Sequence, residues 1–224
     1  MTVNRTVTVG QQAARAVQRW LIPLGVLPGL YVMGMAWRAS SINGGVAAAK
    51  PVELFAKGTG SWALYFLLLT LLVTPLRRLL AAGWLLRLRR PLGLLSFAYA
   101  CLHMAAWLLQ QGTAAGEGIC SNLLRDVAKR PYIVLGAVAY LGLVPLAVTS
   151  TQGMIRRLGR RWTTLHRLVY GCAFLSVVHF TWQAKDGSWR ALLCAALWLL
   201  LMGLRLVSWA RALHRVGLED SEGR

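Results

Sequence analysis

Residues 89–109 read RRPLGLLSFAYACLHMAAWLL, and residues 160–182 read RRWTTLHRLVYGCAFLSVVHFTW. Each opens on a pair of arginines and runs on as an apolar stretch that carries histidine: His103 in the first, His166 and His179 in the second. A run of about 20 mostly apolar residues is long enough to cross a bilayer as a helix. An ionisable side chain at membrane depth costs about 2.5 kcal/mol or more on insertion scales, so its presence there points to a task.

Outward from these two stretches the pattern repeats. Apolar runs fall at roughly 20–37, 61–76, 92–110, 132–149, 162–182 and 190–209 in a chain of 224 residues that is 57% hydrophobic. The expected fold is an all-α membrane protein, a six-helix transmembrane domain over 20–209 between an N-terminal segment 1–19 and a tail 210–224. The connections, about 20 residues at most, are too short to bury a core of their own. The basic, then apolar, N-terminus lacks a convincing cleavage site, which favours a retained first helix over a secretory signal.

The net charge of +18 would suggest nucleic acid in a soluble protein, but its distribution follows the membrane. Arg77, Arg78, Arg87, Arg89 and Arg90 fill one connection, and Arg156, Arg157, Arg160 and Arg161 fill another. Arg5, Arg15 and Arg19 precede the first run, and Arg211 and Arg215 follow the last. With six helices all these segments face one side, and excess Lys/Arg marks the cytoplasm, so both termini are expected there. No soluble basic module is visible, which excludes nucleic acid as a partner.

The turn-forming stretch LLAAGWLLRLRRP predicts a short amphipathic turn on the inner surface, and SNLLRDVAK a short interfacial helix capped by Ser121. Pro23 and Pro28 predict a kinked first helix. Trp20, Trp37, Trp62, Trp84, Trp162, Trp182, Trp189 and Trp209 fall near run ends, as an aromatic belt does. Cys101, Cys172 and Cys194 fall within helices and Cys120 in an outer loop, with no CxxC or CxxCH, so neither disulfides nor covalent c-type haem is expected.

The histidines divide by depth. At about 1.5 Å per residue, His103 lies roughly 20 Å above Arg90 and His179 roughly 27 Å above Arg161, but His166 only about 7–8 Å. Neutral imidazole binds metals while avoiding most of the charge penalty. His103 and His179, facing one another from adjacent helices, would clamp one haem iron near the outer face. His166 and His179 are 13 residues apart and on opposite sides of a straight helix, so they cannot share a metal. His166 stays open between a second haem, a quinone or flavin contact, and a structural hydrogen bond. His214 reads as interfacial. A lone intramembrane histidine can also serve as an interhelical hydrogen-bond donor.

The acids Glu53, Glu117, Asp126, Asp186, Glu219, Asp220 and Glu222 read as loop or tail residues. That leaves no buried carboxylate relay for proton-coupled transport and no acid/base pair, so no catalytic residue is assigned. No GxGxxG occurs, so electrons must enter from a membrane carrier or a separate protein.

Four stretches carry a family resemblance: 55–78 (FAKGTGSWALYFLLLTLLVTPLRR), 89–108, 129–152 (KRPYIVLGAVAYLGLVPLAVTSTQ) and 156–182, with RPY, LAxTS and LGxxWxxLHRLVY patterns. Together they resemble the ferric reductase-like transmembrane superfamily, and within it the MsrQ (YedZ) family of haem-binding membrane subunits. Members of the superfamily carry two haems on two histidine pairs, with a 13-residue spacing on one helix. This chain keeps that spacing at His166 and His179 but supplies only His103 on the third run. The resemblance implies a bacterial inner-membrane location, quinol as electron source, haem b as relay and FMN as a further cofactor. It also implies a periplasmic molybdopterin methionine sulfoxide reductase as partner. A stand-alone ferric or cupric reductase, and a haem-free transporter or assembly protein, are the alternatives.

Overall fold

The computed structural model describes residues 2–42, 49–113, 119–184 and 188–222, and it is helical with no strand among them. Positions 43–48 and 114–118 of the outer loops, Lys185, Asp186, and the side chains of Arg5, Arg15, Lys50, His214, Arg215, Glu219, Asp220 and Glu222 lie outside the described residues.

The order is α1 (Thr2–Ile42), α2 (Ala49–Leu79), a 3-10 turn (Gly83–Leu88), α3 (Arg89–Thr113), α4 (Ile119–Lys129), α5 (Tyr132–Val148), α6 (Gln152–Leu158), α7 (Arg160–Leu165), α8 (Leu168–Gln183) and α9 (Trp189–Glu222). Arg19–Ser41, Pro51–Leu79, Gly83–Gln111 and Trp189–Arg211 are each long and apolar enough to cross a membrane. The α4–α5 pair makes a fifth candidate span, bent by 112° between Lys129 and Tyr132. Pro131 accounts for that corner: it has no N–H to give α4 and disfavours helical backbone at Arg130. The expected run over 162–182 divides instead between α7, a turn at His166–Arg167, and the 16 residues of α8. At about 1.5 Å per residue α8 alone is ~24 Å long, short of the ~30 Å hydrocarbon layer. The chain is a multi-pass, all-helical membrane protein.

α1 is one helix that carries Pro23 and Pro28 inside it. Two local expectations change. Ser121 lies inside α4, which begins at Ile119, and so does not cap it. Glu53 and Asp126 are helical residues rather than loop residues, and so is Cys120. The 3-10 turn does form where the amphipathic segment predicts it, burying Leu85 and Leu88.

Lipid tails are as apolar as leucine, so helices associate through close packing and small residues at crossings. α2 is the hub. Its Leu67 and Leu71 pack with Leu143 and Leu146 of α5, Val169, Cys172 and Ala173 of α8, and Leu201 of α9. Its Phe66 and Val73 pack with Leu92 and Tyr99 of α3. Hydrogen bonds fix the register: Ser96 Oγ donates to the Ala63 carbonyl at 2.8 Å, and Tyr99 OH to the Gly25 carbonyl at 2.7 Å. On the other side α4 is tied to α3, because Trp107 Nε1 and Gln111 Nε2 donate to Asp126 Oδ2 at 3.2 and 3.1 Å. Arg130 pairs with the same carboxylate at 3.3 Å.

Candidate haem-ligand site

α3 carries His103 and α8 carries His179, and the two imidazoles face each other with ring centres 6.3 Å apart and planes at 72°. The structure places the rings of these two histidines, and not that of His166, next to each other. His103 Nδ1 lies 2.8 Å from the Ala56 carbonyl on α2, and His179 Nδ1 lies 2.7 Å from the Tyr132 carbonyl on α5. A carbonyl only accepts, so each Nδ1 carries the proton and donates. Each Nε2 is then left with its lone pair, the form that binds a metal.

The two histidines are seated by the same device. The helical partner of the Ala56 carbonyl is the N–H of Gly60, and that of the Tyr132 carbonyl is the N–H of Gly136. A β-carbon at Gly60 would stand 2.8 Å from His103 Nδ1, and one at Gly136 would stand 2.9 Å from His179 Nδ1 and Cε1. Only glycine lets each imidazole reach its carbonyl. The Tyr132 ring completes the His179 side at 5.7 Å.

These residues suit haem on two counts. Metal–imidazole bonds of about 2.0–2.1 Å on either side of one ion leave the ring centres roughly 6 Å apart, the scale of the 6.3 Å found. Among the described residues no three His, Cys, Asp or Glu side chains converge. A metal held by this pair must bring its other ligands with it, as a porphyrin does.

His166 stands apart, at the turn between α7 and α8. Its Nδ1 donates to the Trp162 carbonyl at 3.1 Å, and its ring stacks on the Trp162 indole at 3.9 Å. Its Nε2 is buried and makes no hydrogen bond. The nearby side chain from α3 is Arg89, not a second imidazole. Trp162, read from sequence as part of the aromatic belt, is thus the plate against which His166 rests, and it also donates to the Thr149 carbonyl at 3.0 Å.

The sequence reading passed over Arg205, a cation inside the last apolar run. That position was the available signal, since charged residues are rare at such depth. Its guanidinium donates to Tyr170 OH, lies over the Tyr170 ring at 4.7 Å, and reaches the Leu71 carbonyl at 2.7 Å.

The ferric reductase like transmembrane component family matches residues 59–177, a segment that holds His103 and His166 and stops just before His179. The protein-methionine-sulfoxide reductase heme-binding subunit MsrQ of Azospira oryzae is 42% identical over 204 residues, covering 91% of this chain and 81% of that protein. The MsrQ of Bordetella pertussis is 39% identical over 205 residues, covering 88% of this chain and 94% of the relative. The MsrQ of Herminiimonas arsenicoxydans is 50% identical over 136 residues, which span 60% of this chain and 61% of that protein, under two thirds of its length. With most of its length matched in this way, and its facing histidines carried on helices of that framework, the chain belongs to the MsrQ family of ferric reductase-like transmembrane proteins.

Proposed function

We propose that this chain is a membrane b-type cytochrome, the electron-transfer subunit of a methionine sulfoxide reductase system. In this reading it takes electrons from quinol and delivers them to a periplasmic molybdopterin-containing reductase. The relatives' names, which describe heme-binding subunits of protein-methionine-sulfoxide reductase, support it. The observation that carries it is the pair of imidazoles 6.3 Å apart with both Nδ1 protons engaged on carbonyls.

His103 and His179 would hold the haem iron. The Ala56 and Tyr132 carbonyls hold their tautomers and orientation, and Gly60 and Gly136 give them room. Haem iron bound there supplies one-electron chemistry, with a potential tuned by burial and by the hydrogen bonds behind the ligands. His166 serves a cofactor or carrier at the other end of the bundle, a quinol or the flavin of FMN.

The topology that fits is six spans over 20–209 in the bacterial inner membrane, with 1–19 and 210–224 in the cytoplasm. It places His103 and His179 on the outer side, towards a periplasmic partner. The partner would dock on the 38–60 and 111–131 connections, whose described parts are the end of α1, the start of α2, the end of α3, α4 and the corner after it.

The test is the visible spectrum of detergent-purified protein before and after dithionite, with a pyridine haemochrome count. The reading expects a b-type spectrum that disappears in His103→Ala and His179→Ala. Full haem and full electron transfer in both variants, or a wild type without a Soret band after haem-replete expression, would falsify it.

A further inference from the structure

The inner end of the bundle has a charge problem. Arg205 sits on α9 within the Trp189–Arg211 span, and its Nε is buried with no hydrogen-bond partner. The charged side chains that act on it from neighbouring elements are Arg89 of α3 and Arg78 of α2, both positive. Arg89 also acts on His166, whose Nε2 is another buried atom without a partner. A third is Thr74 Oγ1, on α2 one turn beyond Leu71, whose carbonyl Arg205 holds.

Nothing in the described protein neutralises this group. Among residues with described side chains the carboxylates are Glu53, which pairs with Lys57, and Asp126, which pairs with Arg130. Both belong to the opposite end of the bundle. On α9 itself the next acid is Glu219, fourteen residues on and about 21 Å along the helix axis. A buried cation is retained where it is paired and hydrogen-bonded, and an unpartnered buried N–H leaves its desolvation uncompensated. Guanidinium groups with hydroxyls beside them are the side chains that recognise phosphate, because the fork of N–H donors matches its oxygens.

We propose that Arg205, with Arg89 and Tyr170, forms a site for the phosphate of a phosphate ester at the inner end of the bundle, beside His166. Arg205 Nε and the Arg89 guanidinium donate to its oxygens, and Tyr170 holds the Arg205 side chain in place. Two sources share this chemistry: a phosphorylated cofactor such as FMN, and a phospholipid head group at the membrane surface. The cofactor source deepens the reading of His166 given above. The site itself uses neither His103 nor His179, so it stands or falls separately from haem ligation.

The test uses full-length wild type, Arg205→Gln and Arg89→Gln in mild detergent, with haem content as the check that each variant is folded. FMN and riboflavin are titrated and followed by flavin fluorescence. In a second arm, each protein is exposed to mixed phosphatidylglycerol and phosphatidylcholine, and retained lipid is read by native mass spectrometry. FMN binding at least about tenfold tighter than riboflavin, and weakened at least about tenfold by either substitution, identifies a cofactor phosphate. Equal binding of the two flavins, with phosphatidylglycerol retained by wild type and lost from the variants, identifies a head group. If neither FMN nor phosphatidylglycerol distinguishes wild type from both variants, the proposal is overturned and Arg205 merely reaches for the interface. If Arg205→Gln does not fold, Arg89→Gln, at the half-exposed start of α3, decides. A haem-free wild type would sink the haem reading while leaving both binding arms readable, with helical content by circular dichroism then checking that each variant is folded.

Discussion

The two ends of this bundle treat their polar groups in opposite ways. Around His103 and His179 each buried proton has an acceptor on a neighbouring helix, and each imidazole has a glycine cut to its shape. Around His166 and Arg205 buried nitrogens are left unpartnered and the neighbouring charges are alike. A site complete in its own protein contacts is ready for a group that asks for two ligands and little else. A site with unanswered donors and one sign of charge is unfinished until something of the other sign arrives.

The largest expected effect tests the first half of that contrast. His103→Ala or His179→Ala removes one of the two proposed haem ligands, and haem retention should fall by more than about tenfold, measured as pyridine haemochrome per chain. Retention unchanged in either variant would mean that the facing rings only pack.

Next come Gly60→Ala and Gly136→Ala. Elsewhere in a helix interior this exchange raises helix stability by about 1 kcal/mol. Here the new methyl meets the imidazole under 3.0 Å, so haem affinity should drop by about tenfold, the low end for disturbing a ligand's outer partner. A changed electron paramagnetic resonance signature of the oxidised haem, with apoprotein melting unchanged or raised, separates positioning from general damage. An unaltered signature would show that the imidazoles have more freedom than their packing suggests.

Asp126→Ala should cost about 1–2 kcal/mol of thermal stability, since it leaves Trp107, Gln111 and Arg130 without their shared acceptor. Haem content should stay as in wild type. The smallest effect belongs to His166→Ala, for which the Soret band per chain should not change. A halved band would reveal a second haem and make the two ends alike after all.

The His103/His179 site was half legible in the sequence. Helical rise is fixed by backbone geometry, so counting roughly 20 Å from Arg90 and 27 Å from Arg161 matched His103 to His179 rather than to His166, although the break at His166–Arg167 interrupts the second count. The Ala56 and Tyr132 carbonyls and the two glycines were not legible, because only the packing of α2 on α3 and of α5 on α8 brings them to the imidazoles. Apolar content marked the membrane runs but not their ends: α8 begins after His166 because the chain turns there, and α4 begins before Ser121. Trp162 illustrates the same limit. Its place near a run end was visible, whereas its contact with His166 depends on the break between α7 and α8.

α4 ends at Lys129, turns through 112°, and α5 opens at Tyr132, the residue whose carbonyl holds His179. α4 thus adjoins both facing histidines: its corner leads into the carbonyl that holds His179, and its Asp126 accepts from Trp107, one helical turn beyond His103 on α3.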